Sequence, residues 1–151
     1  MDNISTHFTW KDVTASETAK KLGWVNELPE ILHDIAIAQA MLLENVRSVL
    51  NVPLSVSSWY RCPALNSRVG GKPNSAHLTA RATDVVPIGL DIIEAYNMVA
   101  KAGVMEDIDQ LILENDKNGN RWLHIAQHPH GDEPRHMAFK LQKDEVTRVN
   151  S

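Results

Sequence analysis

A single α+β domain, with a largely antiparallel sheet flanked by helices, is the fold this chain predicts. Three observations carry that expectation. Two long segments place apolar residues at helical spacing, several short segments read as strands, and a polar Asn-Gly stretch between two of the strands is hairpin chemistry. A length of 151 residues suits one domain spanning 1–151, large enough to bury a core without disulfides.

Residues 1–27 read as an N-terminal lead-in that holds a short helix over Ala15–Leu22, ended by Gly23. The clearest helix runs from about Leu28 to Leu50. Leu28, Ile31, Leu32, Ile35, Ala38, Leu42, Val46 and Val49 form one apolar stripe, with Pro29 suited to the first turn and Asn26 to the cap. Leu54–Trp59 alternates as a strand, Arg61–Val69 reads as a short helix stopped by Gly70-Gly71, and Ala82–Val86 as a strand. Leu90–Ala102 is a second long helix with Ile92, Ile93, Tyr96 and Val99 on its inner face. Ile108–Leu113 and Trp122–Ala126 form a hairpin around Asn115–Asn120. Met137–Leu141 is expected as a final edge strand, and 142–151 as a polar, frayed tail.

Composition excludes several classes. Hydrophobic residues make up 43% and charged residues 23%, ordinary values for a soluble domain, and no apolar run is long enough for a membrane span. The start of the chain lacks a basic segment followed by an apolar stretch, so synthesis in the cytoplasm without a signal peptide is expected. Cys62 is the only cysteine, so no internal disulfide forms. A net charge of −4 with no basic stripe argues against nucleic acid as a partner and offers no long-range attraction to an anionic polymer.

His77 and Asp84 stand seven positions apart, and His124 lies far downstream. Two histidines and one carboxylate, with a position left for water, suit a catalytic zinc ion rather than a structural one. The spacing is demanding. On one helix the pair would sit about 10 Å apart along the axis, and on one strand more than roughly 20 Å apart. The chain must therefore turn back between them, and His124 must arrive from the hairpin into a cleft on the sheet. Strand alternation puts Trp122, His124 and Ala126 on the cleft face and Leu123 and Ile125 on the core face.

Hydrolysis also needs a base near the water, and Glu114, on the partner strand of the hairpin, is the candidate. A strict two-residue turn at Asn118-Gly119 would set it opposite Leu123, on the wrong face, so a three-residue loop or a bulge that sets it opposite His124 is expected. Blander readings stand beside these. Isolated histidines are commonly surface or satisfied core groups, and His128, His130 and His136 read as solvated loop residues. Glu114 and Arg61 have surface readings, and Cys62 reads as a small buried filler, with a Cys62–His124 nucleophile pair as a remote alternative.

Several separated motifs in one order now bear on the choice. They are His7-Phe8-Thr9, Tyr60-Arg61-Cys62-Pro63-Ala64-Leu65-Asn66, Val69-Gly70-Gly71, Ser75-x-His77-x6-Asp84, Asp109-Gln110-Leu111-Ile112-x-Glu114 and Trp122-Leu123-His124-Ile125. Together, to about Gln127, they resemble the zinc D-alanyl-D-alanine carboxypeptidase family, which includes phage L-alanyl-D-glutamate endolysins. The resemblance implies one zinc ion held by His77, Asp84 and His124, with Glu114 as general base. Arg61 would face the substrate or the developing oxyanion, and Ser75 would contact substrate or support the site. It further implies a monomeric peptidase acting on peptidoglycan stem peptides, with no stable membrane association. The expected protein is a phage or prophage endolysin released to the cell wall, with a wall-remodelling carboxypeptidase as the alternative. A catalytically weak wall-binding or structural zinc module is the reading from another class.

The chain departs from the family pattern in three places. Trp59 and Ala80 stand where the pattern has glycine, so a positive φ at either would be strained. The connection from Glu114 to His124 is longer by about four residues, an even insertion that preserves facing. Members that place Glu three positions before the last histidine are not matched, because Arg121 stands there.

Overall fold

The computed structural model describes residues 2–129, 137–142 and 145–150. Its lead-in carries two short helices, α1 (Trp10–Thr14) and α2 (Glu17–Leu22). The first was not expected, although Thr9 and Asp12 cap it reciprocally and that pattern is visible in the sequence. Ser16 caps α2, and Gly23 ends it at φ 68°, where a side chain would be strained. A single 3-10 turn (Glu30–Leu32) then leads into α3 (His33–Leu50).

The expected stripe holds in part, with Leu42 and Val46 buried and Leu28, Leu32 and Val49 packed against the core, but the buried face of α3 is wider than the stripe and two stripe positions fall outside it. Ala36, Gln39, Ala40, Leu43 and Val46 are buried, whereas Ile31 is 86% exposed and Ala38 faces solvent. The reason is polar. Gln39 is fully buried because its amide donates to Thr83 Oγ1 and to the Ile125 carbonyl, and its own oxygen accepts from Gln127. These bonds rotate the helix onto a face that hydrophobicity alone does not mark. Asn26 also departs from expectation. Instead of capping a helix, it donates to the Thr14 and Tyr60 carbonyls and accepts from the Cys62 amide.

Strands β1 (Leu54–Ser58), β2 (Ala82–Pro87), β3 (Gln110–Asn115), β4 (Arg121–Ala126), β5 (Met137–Gln142) and β6 (Glu145–Asn150) form one sheet in the order β1-β2-β4-β3-β5-β6. The first four neighbours pair antiparallel, β5 joins β3 in parallel, and β6 pairs antiparallel with β5. Hence β5 is not the edge strand expected, and most of the supposed tail is the edge strand instead. Helices α4 (Pro63–Arg68) and α5 (Ile92–Lys101) follow the expected segments. On α5, Ala95, Tyr96 and Val99 face the core, but Ile93 is largely exposed. Leu111, Leu113, Leu123 and Ile125 on the sheet meet Leu43, Val46, Tyr96 and Val99 on the helices in one core. The opposite face of β2, β3 and β4 is left to line a cleft.

Glu44, on α3, ties down the lead-in. Its carboxylate accepts from Ser5 Oγ, from the His7 amide and from His7 Nδ1. Burial pushes its carboxyl up, but the bonds from Ser5 and His7 outweigh burial and hold it below the usual carboxylate range. A lowered folded value stabilises the protein above the unfolded carboxylate range and loses that effect as pH falls through the folded value. Glu44→Gln should therefore cost about 1 kcal/mol near neutral pH, a modest figure because water screens the exposed His7. Urea unfolding at several pH values should show the difference shrinking on the acid side of pH 4. A difference independent of pH would contradict the ionic part of this account.

Candidate metal centre

The centre is built where β2 and β4 run side by side. Asp84 and His124 are direct cross-strand partners, so their side chains leave the same face of the sheet. His77 arrives on a 3-10 segment (Ala76–Thr79) that turns the chain back before β2, as the spacing from His77 to Asp84 demanded. All three are buried, and one ligand atom from each lies within 4.8 Å of the others. His77 Nε2 is 3.3 Å and His124 Nδ1 is 3.1 Å from Asp84 Oδ1. Ligands on a tetrahedral ion at about 2.0–2.2 Å stand roughly 3.3 Å apart, so this donor set fits zinc.

The outer ring nitrogens support the same arrangement. His77 Nδ1 lies 2.6 Å from the Trp59 carbonyl, which can only accept. The proton therefore sits on Nδ1, and the Nε2 lone pair points inward. His124 Nε2 lies 3.2 Å from Gln110 Oε1, which likewise directs Nδ1 inward. Neither Trp59 nor Gln110 was singled out as a site residue in the sequence, because a backbone carbonyl carries no sequence signal and Gln110 sits in a motif whose other members drew the attention.

Charge in the centre is tightly balanced. Burial pushes the Asp84 carboxyl up, but His77 and His124 outweigh burial and hold it far below the carboxylate range. Burial pulls the His124 imidazole down, and Asp84 more than reverses this, so it holds a proton more readily than usual. A divalent cation would take the place of that proton between the two groups.

Glu114 lines the same cleft as the three ligands. The expectation of a partner opposite His124 is corrected: Glu114 pairs with Trp122, and Ile112 pairs with His124. The connecting loop has five residues, 116–120, because Asp116 accepts from the amides of Asn118 and Asn120 and from the Asn120 side chain. A two-position shift keeps the face, so Gln110, Ile112 and Glu114 all face the cleft while Leu111 and Leu113 are buried in the core. Glu114 Oε1 stands 3.6 Å from His124 Nδ1. Burial pushes its carboxyl up, and His124 only partly offsets this.

Arg61 also lines the cleft, with its fork held on three sides. Nε donates to Ser58 Oγ, Nη1 to Asn66 Oδ1, and Nη2 lies 3.5 Å from Asp84 Oδ2. Asn66 is fixed in turn by donating to the Lys72 carbonyl. Ser75 Oγ accepts from the His77 amide and so caps the segment that carries His77. Cys62 packs against the core and does not line the cleft, so the Cys62–His124 pair finds no support. His128 is corrected from a solvated residue to a largely buried one, with Nε2 3.3 Å from Asp109 Oδ1. The chain beyond β4 stays on the sheet there, since the Gln127 amide donates to the Arg81 carbonyl. His130 and His136 lie outside the described residues.

The expected strain is present at one of its two positions. Ala80, fully buried, has φ 61°, whereas Trp59 is not among the residues with positive φ. For a residue with a Cβ this conformation costs roughly 1–2 kcal/mol.

The cleft holds about 550 Å³ and is rimmed by Gly70, Gly71, Lys72, Asn74 and Trp122 around the buried acids and histidines. Gly71 is needed for close approach, since a Cβ there would lie 2.1 Å from Asn66 Oδ1 and 3.0 Å from Arg61 Nη1. Gly71→Ala should therefore displace Asn66 and loosen the Arg61 fork, destabilising the fold by about 1–3 kcal/mol. An unchanged urea midpoint would contradict that packing. With this geometry in hand, a family model described as Peptidase M15 matches residues 6–126. No curated protein matches the chain.

Proposed function

Because this chain belongs to the peptidase M15 family, we propose that it is a zinc peptidase that hydrolyses peptidoglycan stem peptides, as an endolysin cutting L-alanyl-D-glutamate bonds. The observation that carries the reading is the convergence of His77, Asp84 and His124 on one point in a cleft that also presents Glu114 and Arg61. The endolysin role rests further on the motif resemblance to a family that includes such enzymes. In this role the protein is made in the cytoplasm and acts at the wall after release.

His77 Nε2, the Asp84 carboxylate and His124 Nδ1 would hold one zinc ion, which lowers the pKa of a water toward 7 and polarises a carbonyl. Glu114, at the wall of the same cleft, is placed to accept the proton of a water attacking the scissile carbonyl carbon. Its burial raises its affinity for a proton toward the range useful in a base. The same carboxylic acid then delivers the proton to the leaving nitrogen as the C–N bond breaks, so the base is regenerated. Arg61 presents a fixed cationic fork to the negative charge growing on the substrate oxygen or to a substrate carboxylate. Ser75 keeps the His77 segment in place at the cleft wall.

Digestion of purified muropeptides, read by mass spectrometry, tests the bond. Release of the stem peptide without its first alanine, with a new N-terminal glutamate, is expected. Loss of a single terminal alanine would replace the endolysin reading with the carboxypeptidase. Binding to wall without any cleavage would leave a zinc-bearing wall module. Glu114→Gln should lower turnover by roughly 10²–10⁴-fold while zinc content stays at one ion per chain. His77→Ala should lose zinc and activity together. An active His77→Ala protein without metal would remove the scheme.

A further inference from the structure

Trp59 touches the segment that carries His77 at two points, His77 itself and the closing residue Ala80. Its carbonyl accepts from His77 Nδ1 at 2.6 Å, and its indole Nε1 donates to the Ala80 carbonyl at 3.0 Å. Ala80 is the residue that closes this segment, in a left-handed conformation that disfavours any side chain. A third bond, from the Arg61 amide to the His77 carbonyl at 3.0 Å, fastens the backbone of His77. The indole is fully buried and meets Phe8 edge-on, with ring centroids 6.4 Å apart, so it has little freedom to move.

We propose that the Trp59 indole is a positioning residue for His77: by holding the Ala80 carbonyl it keeps the strained turn in its left-handed form and so keeps the imidazole aimed at the metal position. Glycine would adopt that turn unaided, whereas alanine needs an outside hold. Trp59 supplies it, and the pairing of a buried indole donor with a non-glycine left-handed residue follows from this division of labour. The inference rests on the metal reading above and adds to it a residue that does not touch the ion.

The test is a double-mutant cycle on the full chain, with zinc affinity measured by chelator competition and the visible spectrum of the cobalt-loaded protein as a second readout. Trp59→Phe keeps an aromatic ring against Phe8 but removes the N–H. It should weaken zinc binding by about 10–100-fold and alter the cobalt spectrum, the range seen when a ligand loses its outer support. Ala80→Gly alone should leave affinity near that of the natural chain. Ala80→Gly added to Trp59→Phe should restore most of the lost affinity, because the turn then holds its form without the indole. A purely packing role would instead give the same loss in both backgrounds, and that result overturns the proposal. So would unchanged zinc affinity in Trp59→Phe, or loss of the fold in both Trp59→Phe and the double variant. Failure of the natural chain itself to take up zinc would overturn the metal reading, a result distinct from tight binding by all variants.

Discussion

The carboxylate of Asp84 is the interaction on which the site depends. It sits in the middle of the sheet, almost fully removed from water, where an unpaired charge would be costly. The protein answers with Arg61 on one oxygen and His77 and His124 on the other. Each of these groups comes from a different part of the chain, so satisfying one charge pins the connection after β1, the 3-10 segment and β4 to β2. The sheet pairing then has a chemical reason to keep its register, since slipping β4 by one residue would turn His124 to the core face and leave Asp84 short of a partner.

Around that carboxylate the support is mostly backbone and neutral amide chemistry. Trp59 and Gln110 fix which nitrogen of each histidine points inward, Ser58 and Asn66 fix the guanidinium, and Gly71 leaves room for them. These groups carry no net charge, so they orient the site without competing for its electrostatics.

Much of the candidate site was legible in the sequence because its candidate ligands are scarce residue types at constrained spacing. His77 and Asp84 could share an ion only across a compact turn, and the structure has that turn. The hairpin face of Glu114 was also readable, since strand alternation survives an even change in loop length. Its cross-strand partner was not, because the Asp116 side chain organises a five-residue loop that Asn-Gly alone does not signal. Part of the helical face of α3 was missed for a related reason: Gln39 is buried by specific hydrogen bonds, and polarity suggested the opposite. His128 was misread as solvated, and most of the tail as frayed, because contact or pairing with another element is not recorded in local composition.

The Gln39 bridge has a wider implication. Its amide reaches Thr83 and Ile125, the immediate neighbours in sequence of Asp84 and His124. The floor of the cleft is therefore braced from behind by a helix on the far side of the sheet, and it has little room to adapt. Diversity among substrates would have to be written at the mouth, in residues such as Lys72, Asn74 and Trp122, where side chains can be exchanged without disturbing the brace. A division of this kind separates a braced floor, which fixes the geometry of the candidate centre, from a mouth that is free to vary.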